Sequence, residues 1–101
     1  MDANRIRQDF PTLRQEIYGK PYTYLDSGAT TLKPQSVIDR MTRFYEDEYA
    51  TVHRGAYYLS QHATTNYQAV REQVADFIGA GSADEIVFTS GTTAALNLLA
   101  H

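Results

Sequence analysis

Glu85-Ile86-Val87-Phe88-Thr89-Ser90-Gly91-Thr92-Thr93-Ala94-Ala95-Leu96-Asn97-Leu98-Leu99-Ala100 is the stretch on which the fold of this 101-residue chain turns. Ile86, Val87 and Phe88 are β-favouring and apolar, the composition of a short buried strand. Thr89-Ser90-Gly91 interrupts that run. Thr92 and Thr93 then lead into Ala94, Ala95, Leu96, Leu98 and Leu99, strong helix formers with almost no polar face. Strand, glycine turn and helix in that order leave the first helical N–H groups without partners. They lie beside two hydroxyls, at the positive end of a helix dipole. Such a start suits a phosphate. It serves equally as a plain helix cap, with Ser90 or Thr92 as the capping residue and Gly91 relieving a turn. It is no Walker A loop, because no Gly-Lys-Ser/Thr follows.

Working outward, a long amphipathic helix is expected over residues 63–78, with Ala63, Tyr67, Val70, Val74, Phe77 and Ile78 as its core stripe. Gly79 is its C-terminal stop. Ser82 to Glu85 has capping-box spacing and reads as a turn into Ile86. Upstream, Pro34 opens a second helix, whose apolar face is Val37, Ile38, Met41, Phe44, Tyr45 and Tyr49. Arg40 and Arg43 lie opposite, and Glu46-Asp47-Glu48 reads as a solvated acidic end. Ala50 to Gln61, with His53-Arg54-Gly55, shows no clear period. On their own, His53 reads as a hydrogen-bonded loop histidine and Arg54 as a surface ion-pair residue. Residues 2–9 make one or two helical turns entered at Asp2 or Asn4 and stopped by Phe10-Pro11. Glu16 to Pro21 is a turn around Gly19. Tyr22 to Leu25 is expected as a short strand, followed by the small-residue loop from Asp26 to Thr31. The expected fold class is therefore α/β: a mostly helical chain with two short strands.

The totals narrow the function. Hydrophobic content of 43% and charged content of 21% belong to a globular chain. A net charge of −3 argues against a nucleic-acid partner, which calls for clustered Lys and Arg. Without cysteine there is no disulfide, thiolate metal site or thiol nucleophile, and no metal site is expected. No apolar run approaches a membrane span and the start has no signal-peptide core, so a soluble, cytoplasmic chain is expected. The last residues fall inside an apolar helix with no stop signal, which is the pattern of a fragment of a larger core.

Three stretches, Tyr24 to Ile38 (YLDSGATTLKPQSVI), Val52 to Ser60 (VHRGAYYLS) and Glu85 to Thr93 (EIVFTSGTT), occur in a telling order and spacing. Together with Asp9-Phe10-Pro11 and Leu13, they resemble the amino-terminal part of the SufS-type cysteine desulfurases. Those enzymes are class V aminotransferase-like proteins of the pyridoxal-phosphate (PLP) fold type I, related to selenocysteine lyases. The resemblance covers nearly all of this chain but only the first part of the family's length. It implies a single unit over residues 1–101, with 1–21 an amino-terminal arm and 22–101 the start of the PLP-binding large domain. It implies that Gly91, Thr92 and Thr93 grip the phosphate of PLP. It places Ser27, Gly28 and Ala29 on the substrate side, and His53 and Arg54 at a homodimer interface that reaches the neighbouring active site.

The family reaction takes sulfur from L-cysteine, giving L-alanine, for iron–sulfur cluster assembly, with a sulfur-acceptor protein as a further partner. It uses a Schiff-base lysine and a persulfide cysteine. Here the only lysines, Lys20 and Lys33, stand in turn contexts unlike the family's, and there is no cysteine. No catalytic residue is therefore assigned, and the chain alone is expected to be inactive. Ala94 stands where the family commonly has Glu, and Tyr57 where it frequently has His. Selenocysteine lyase, with selenocysteine as substrate, or another class V aminotransferase thus stays open. A stand-alone phosphate-binding module and a packing piece for dimerisation are the alternatives outside enzymes.

Overall fold

A computed structural model of the chain describes residues 2–53 and 55–100. They fall into two compact units, Met1–Tyr49 and Ala50–His101.

In the first unit Asp2 caps helix α1 (Ala3–Gln8), its carboxylate accepting from the Asn4 and Arg5 N–H groups at 3.0 and 3.4 Å. This satisfies two of the donors that a helix start leaves open. Phe10 is extended and Pro11 begins a short 3₁₀ turn, Pro11–Arg14, as the restriction on the residue before proline requires. A small hairpin follows: β1 (Glu16–Ile17) pairs antiparallel with β2 (Lys20–Pro21), Glu16 opposite Pro21 and Ile17 opposite Lys20. Tyr18 and Gly19 both have positive φ, 54° and 72°, the geometry of a two-residue type I′ turn. The Arg7 guanidinium of α1 donates to the carbonyls of Leu13 and Tyr22, lashing the hairpin's exit to the first helix. Helix α2 (Gln35–Arg43) starts directly after Pro34 and runs into a wider π turn, Phe44–Glu48. There Arg40 reaches Glu48 at 2.8 Å, so the acidic end is not simply solvated.

In the second unit helix α3 (Tyr58–Ile78) is 21 residues long, about 32 Å at the α-helical rise. Gly79 closes it at φ 72°, with the Ala80 N–H donating to Ala75 and the Gly79 N–H to Asp76, a Schellman ending. A 3₁₀ turn, Ala83–Glu85, is capped by the Ser82 hydroxyl, which accepts from the Asp84 N–H at 3.1 Å. The chain is extended at Ile86, bends at Ser90 and Gly91, and enters α4 (Thr92–Ala100).

The chain is thus mostly helical with two short antiparallel strands, the expected class, but the strands lie elsewhere. Tyr22–Leu25 and Ile86–Phe88 form no ladder. A strand needs a neighbour to share its hydrogen bonds, and among the described residues no extended segment pairs with either. Composition reads what a strand favours, not whether a partner lies beside it. Helix α3 also begins at Tyr58, five residues before the expected Ala63, because Ser60 and Thr64 turn their hydroxyls onto the preceding loop and draw the helix back to it. The expected core faces are only partly covered. Among the described residues Ala63, Ala75 and Ile86 are the buried apolar side chains, all in the second unit. Val37 and Met41 of α2, Tyr45 of the π turn, and Phe77 and Ile78 of α3 stand exposed.

Candidate functional site

The turn into α4 is the best-defined site. Gly91 has φ 153°, a region that a residue with a side chain seldom adopts. Its carbonyl accepts from the Ala95 N–H at 3.1 Å and from the Thr89 hydroxyl at 3.2 Å. Gly91 is therefore the helix cap, held from both sides. The N–H groups of Thr92, Thr93 and Ala94 are the first three of α4 and have no acceptor within the helix. Their partial positive charge lies at the helix end that Thr92 and Thr93 begin. A Cβ placed on Gly91 would meet nothing within 4 Å, so the space beside the turn is open to an incoming group. Donors, dipole and open approach fit a phosphate ester. They fit the phosphate of PLP and say nothing of its ring.

The loop before α3 is the second feature. His53 has φ 98°, uncommon for a non-glycine residue. Its N–H donates to Thr64 Oγ1 at 2.9 Å, and its imidazole meets the Tyr67 ring edge-on at 6.5 Å and 70°. With Thr51, Val52 and Thr64 it lines an open hollow. Ser60, fully buried, holds the rest of the loop: its hydroxyl donates to the Thr51 carbonyl at 2.7 Å and accepts from the Gly55 N–H at 3.1 Å. Arg54, expected to work with His53, lies outside the described residues.

Gly28 and Ala29 sit in the first unit, on a turn where the Ala29 and Thr30 N–H groups donate to the Asp26 carbonyl at 3.1 and 3.2 Å. The Tyr24 hydroxyl lies 3.0 Å from the Asp26 carbonyl and 2.5 Å from that of Thr30, clamping the loop shut. A hollow of about 290 Å³ beside it is lined by Arg7, Phe10, Leu13, Tyr24, Ser27 and Thr31, among others, but not by Gly28 or Ala29.

Two residues stand out that the sequence did not single out. Tyr67 belongs to the expected core stripe, yet its ring also packs on Phe88 at 5.6 Å and 79°. Arg71 donates from Nε to the Ile86 carbonyl at 3.1 Å and from Nη2 to that of Ala83 at 2.7 Å. It thereby fixes the segment leading to Gly91. An arginine one helical turn from an aromatic residue was the signal available, and spacing alone gave it no partner.

The aminotransferase class-V family model matches residues 23–101. A cysteine desulfurase of Pectobacterium atrosepticum is 58% identical over 97 residues, 96% of this chain and 24% of that protein. A cysteine desulfurase of Yersinia pestis is 56% identical over the same length and shares. Among solved structures, the apo cysteine desulfurase of Thermococcus onnurineus superposes with a TM-score of 0.84 at 42% identity, covering 99% of this chain and 23% of that one. The chain spans about a quarter of the length of the curated relatives it matches.

Proposed function

The chain belongs to the aminotransferase class-V family, and on that premise we propose that it is the amino-terminal portion of a PLP-dependent cysteine desulfurase. In that enzyme residues 1–21 form an arm and 22–101 open the PLP-binding large domain. The whole enzyme releases sulfur from L-cysteine, leaving L-alanine, and works as a homodimer in the cytoplasm. It passes the sulfur to an acceptor protein for iron–sulfur cluster assembly. Selenocysteine lyase is the second reading, kept open by Tyr57 and Ala94, where this chain departs from the common family pattern.

The observation that carries the proposal is the Gly91 turn, an open helix start with three free N–H groups and two hydroxyls, inside the matched region. Gly91, Thr92 and Thr93 hold the cofactor's phosphate there. PLP, when bound, supplies the electron sink for breaking bonds at the substrate's α-carbon. The residues of this chain bind and orient the phosphate end and carry no proton-transfer or sulfur chemistry. Gly28 and Ala29 line the substrate side. His53 and Arg54 serve the neighbouring subunit.

The test is an amide chemical-shift titration of the chain with inorganic phosphate and with PLP. Shifts are expected to concentrate at Ser90 to Ala94. Shifts spread over Arg40 and Arg43, with Ser90 to Ala94 silent, would mean nonspecific charge attraction and defeat the reading.

A further inference from the structure

One face of α3 grips both motifs of the second unit. Ser60, Thr64, Tyr67 and Arg71 follow one another at spacings of four, three and four residues, which puts them on one stripe of a helix. The amino-terminal half of this stripe holds the loop before the helix. Ser60 ties Thr51 to Gly55, and Thr64 Oγ1 takes the His53 N–H while donating to the Ser60 carbonyl at 2.7 Å. The carboxy-terminal half holds the run into the Gly91 turn, with Arg71 on the carbonyls of Ala83 and Ile86. Tyr67 stands between the halves and touches both, its ring edge-to-face with His53 on one side and with Phe88 on the other. Three rings in series, each pair tilted by 70° or more, fit the preferred geometry of aromatic contacts. Their directionality makes such a series sensitive to rotation of any member. His53 also holds a backbone conformation that persists only where the surroundings enforce it.

We infer that Tyr67 is a positioning residue that sets the His53 imidazole and the Gly91–Thr93 turn in one fixed relation through the ladder His53–Tyr67–Phe88. Its role in phosphate binding rests on the reading of that turn given above. The ladder itself does not. Displacing Phe88 displaces Thr89, whose hydroxyl holds the Gly91 carbonyl, so a change at Tyr67 reaches the phosphate donors without touching them.

The experiment compares the chain with its Tyr67→Phe, Tyr67→Leu and Arg71→Lys variants by NMR, first without ligand and then with inorganic phosphate. Tyr67→Phe keeps the ring and is expected to leave the His53 ring protons and the Thr89–Thr93 amides as in the parent. Tyr67→Leu is expected to move both sets together and to weaken phosphate binding at least about fivefold, the lower end of ordinary site-to-site coupling. Movement of one set without the other overturns the inference, as does failure of Tyr67→Phe to restore both. If Tyr67→Leu loses its helical circular dichroism, Arg71→Lys decides. It keeps the charge but not the planar fork, and must move the His53 ring along with the Ile86 and Phe88 amides. An unmoved His53 ring defeats the ladder. Silence of Ser90 to Ala94 toward phosphate in the parent defeats only the phosphate reading, because the ligand-free spectra still test the ladder.

Discussion

A Cβ built on Gly55 would stand 2.3 Å from the Oγ of Ser60 and 2.5 Å from its Cβ. No side chain fits between these two residues, and Ser60 has no room to retreat because it is fully buried. Replacing Gly55 by alanine is expected to cost about 1–3 kcal/mol, the usual range for overpacking. Urea titration of the second unit's helical signal measures the cost. A Gly55→Ala chain as stable as the parent would show that the loop repacks freely.

Thr93→Val keeps the branched shape and removes only the hydroxyl. A hydrogen bond to a charged group is worth about 1.5–3 kcal/mol. Phosphate affinity at the Gly91 turn is therefore expected to start in the millimolar range, about 4 kcal/mol, and to fall about tenfold or more in the variant. The amide shifts of Ser90 to Ala94 report both values. Equal affinity in Thr93→Val would remove that hydroxyl from the site.

The chain's two lysines both lie in the first unit, Lys20 in β2 and Lys33 with its Nζ 2.5 Å from the Thr31 carbonyl. Mixing the chain with one equivalent of PLP is expected to give no discrete Schiff-base absorbance band. Adding L-cysteine is expected to give no alanine. A stable stoichiometric adduct on Lys20 or Lys33, located by borohydride trapping and peptide mapping, would contradict this.

Large apolar side chains stand open on three helices: Val37 and Met41 on α2, Phe77 on α3, Leu99 on α4. A whole domain is held by only about 5–15 kcal/mol, and so little covered surface leaves far less. The isolated chain is expected to melt at low temperature or to self-associate. Calorimetry combined with sedimentation checks this. A cooperative transition above about 65 °C, the upper end for mesophilic domains, from a clean monomer would overturn it.

Local signals were the legible part of the sequence. Asp2 as a cap, Phe10-Pro11 as a break, Gly79 as a helix end and Gly91 as the hinge of the last turn all sit where expected, because each depends on a residue and its nearest neighbours. The early start of α3 was not legible, since it depends on Ser60 and Thr64 reaching back to residues 51–55. The two expected strands failed for the same reason: pairing is a property of two segments, and Ile86 to Phe88 carries only half of it. Within the site, spacing marked Gly91 to Thr93. It missed Tyr67 and Arg71, whose roles appear only when Phe88, Ala83 and Ile86 are folded back on the helix.

The Arg71 clasp also has a bearing on time. Its two carbonyl partners, Ala83 and Ile86, follow it by 12 and 15 residues. Closing a loop of about that size takes on the order of 10–100 ns, and helix growth about a nanosecond per residue. Contacts so near in sequence form ahead of pairings between distant segments, which are intrinsically slow. The approach to the Gly91 turn is thus laid down by the helix that precedes it. The Gly91 turn is a template on which slower contacts assemble, not a product of their assembly.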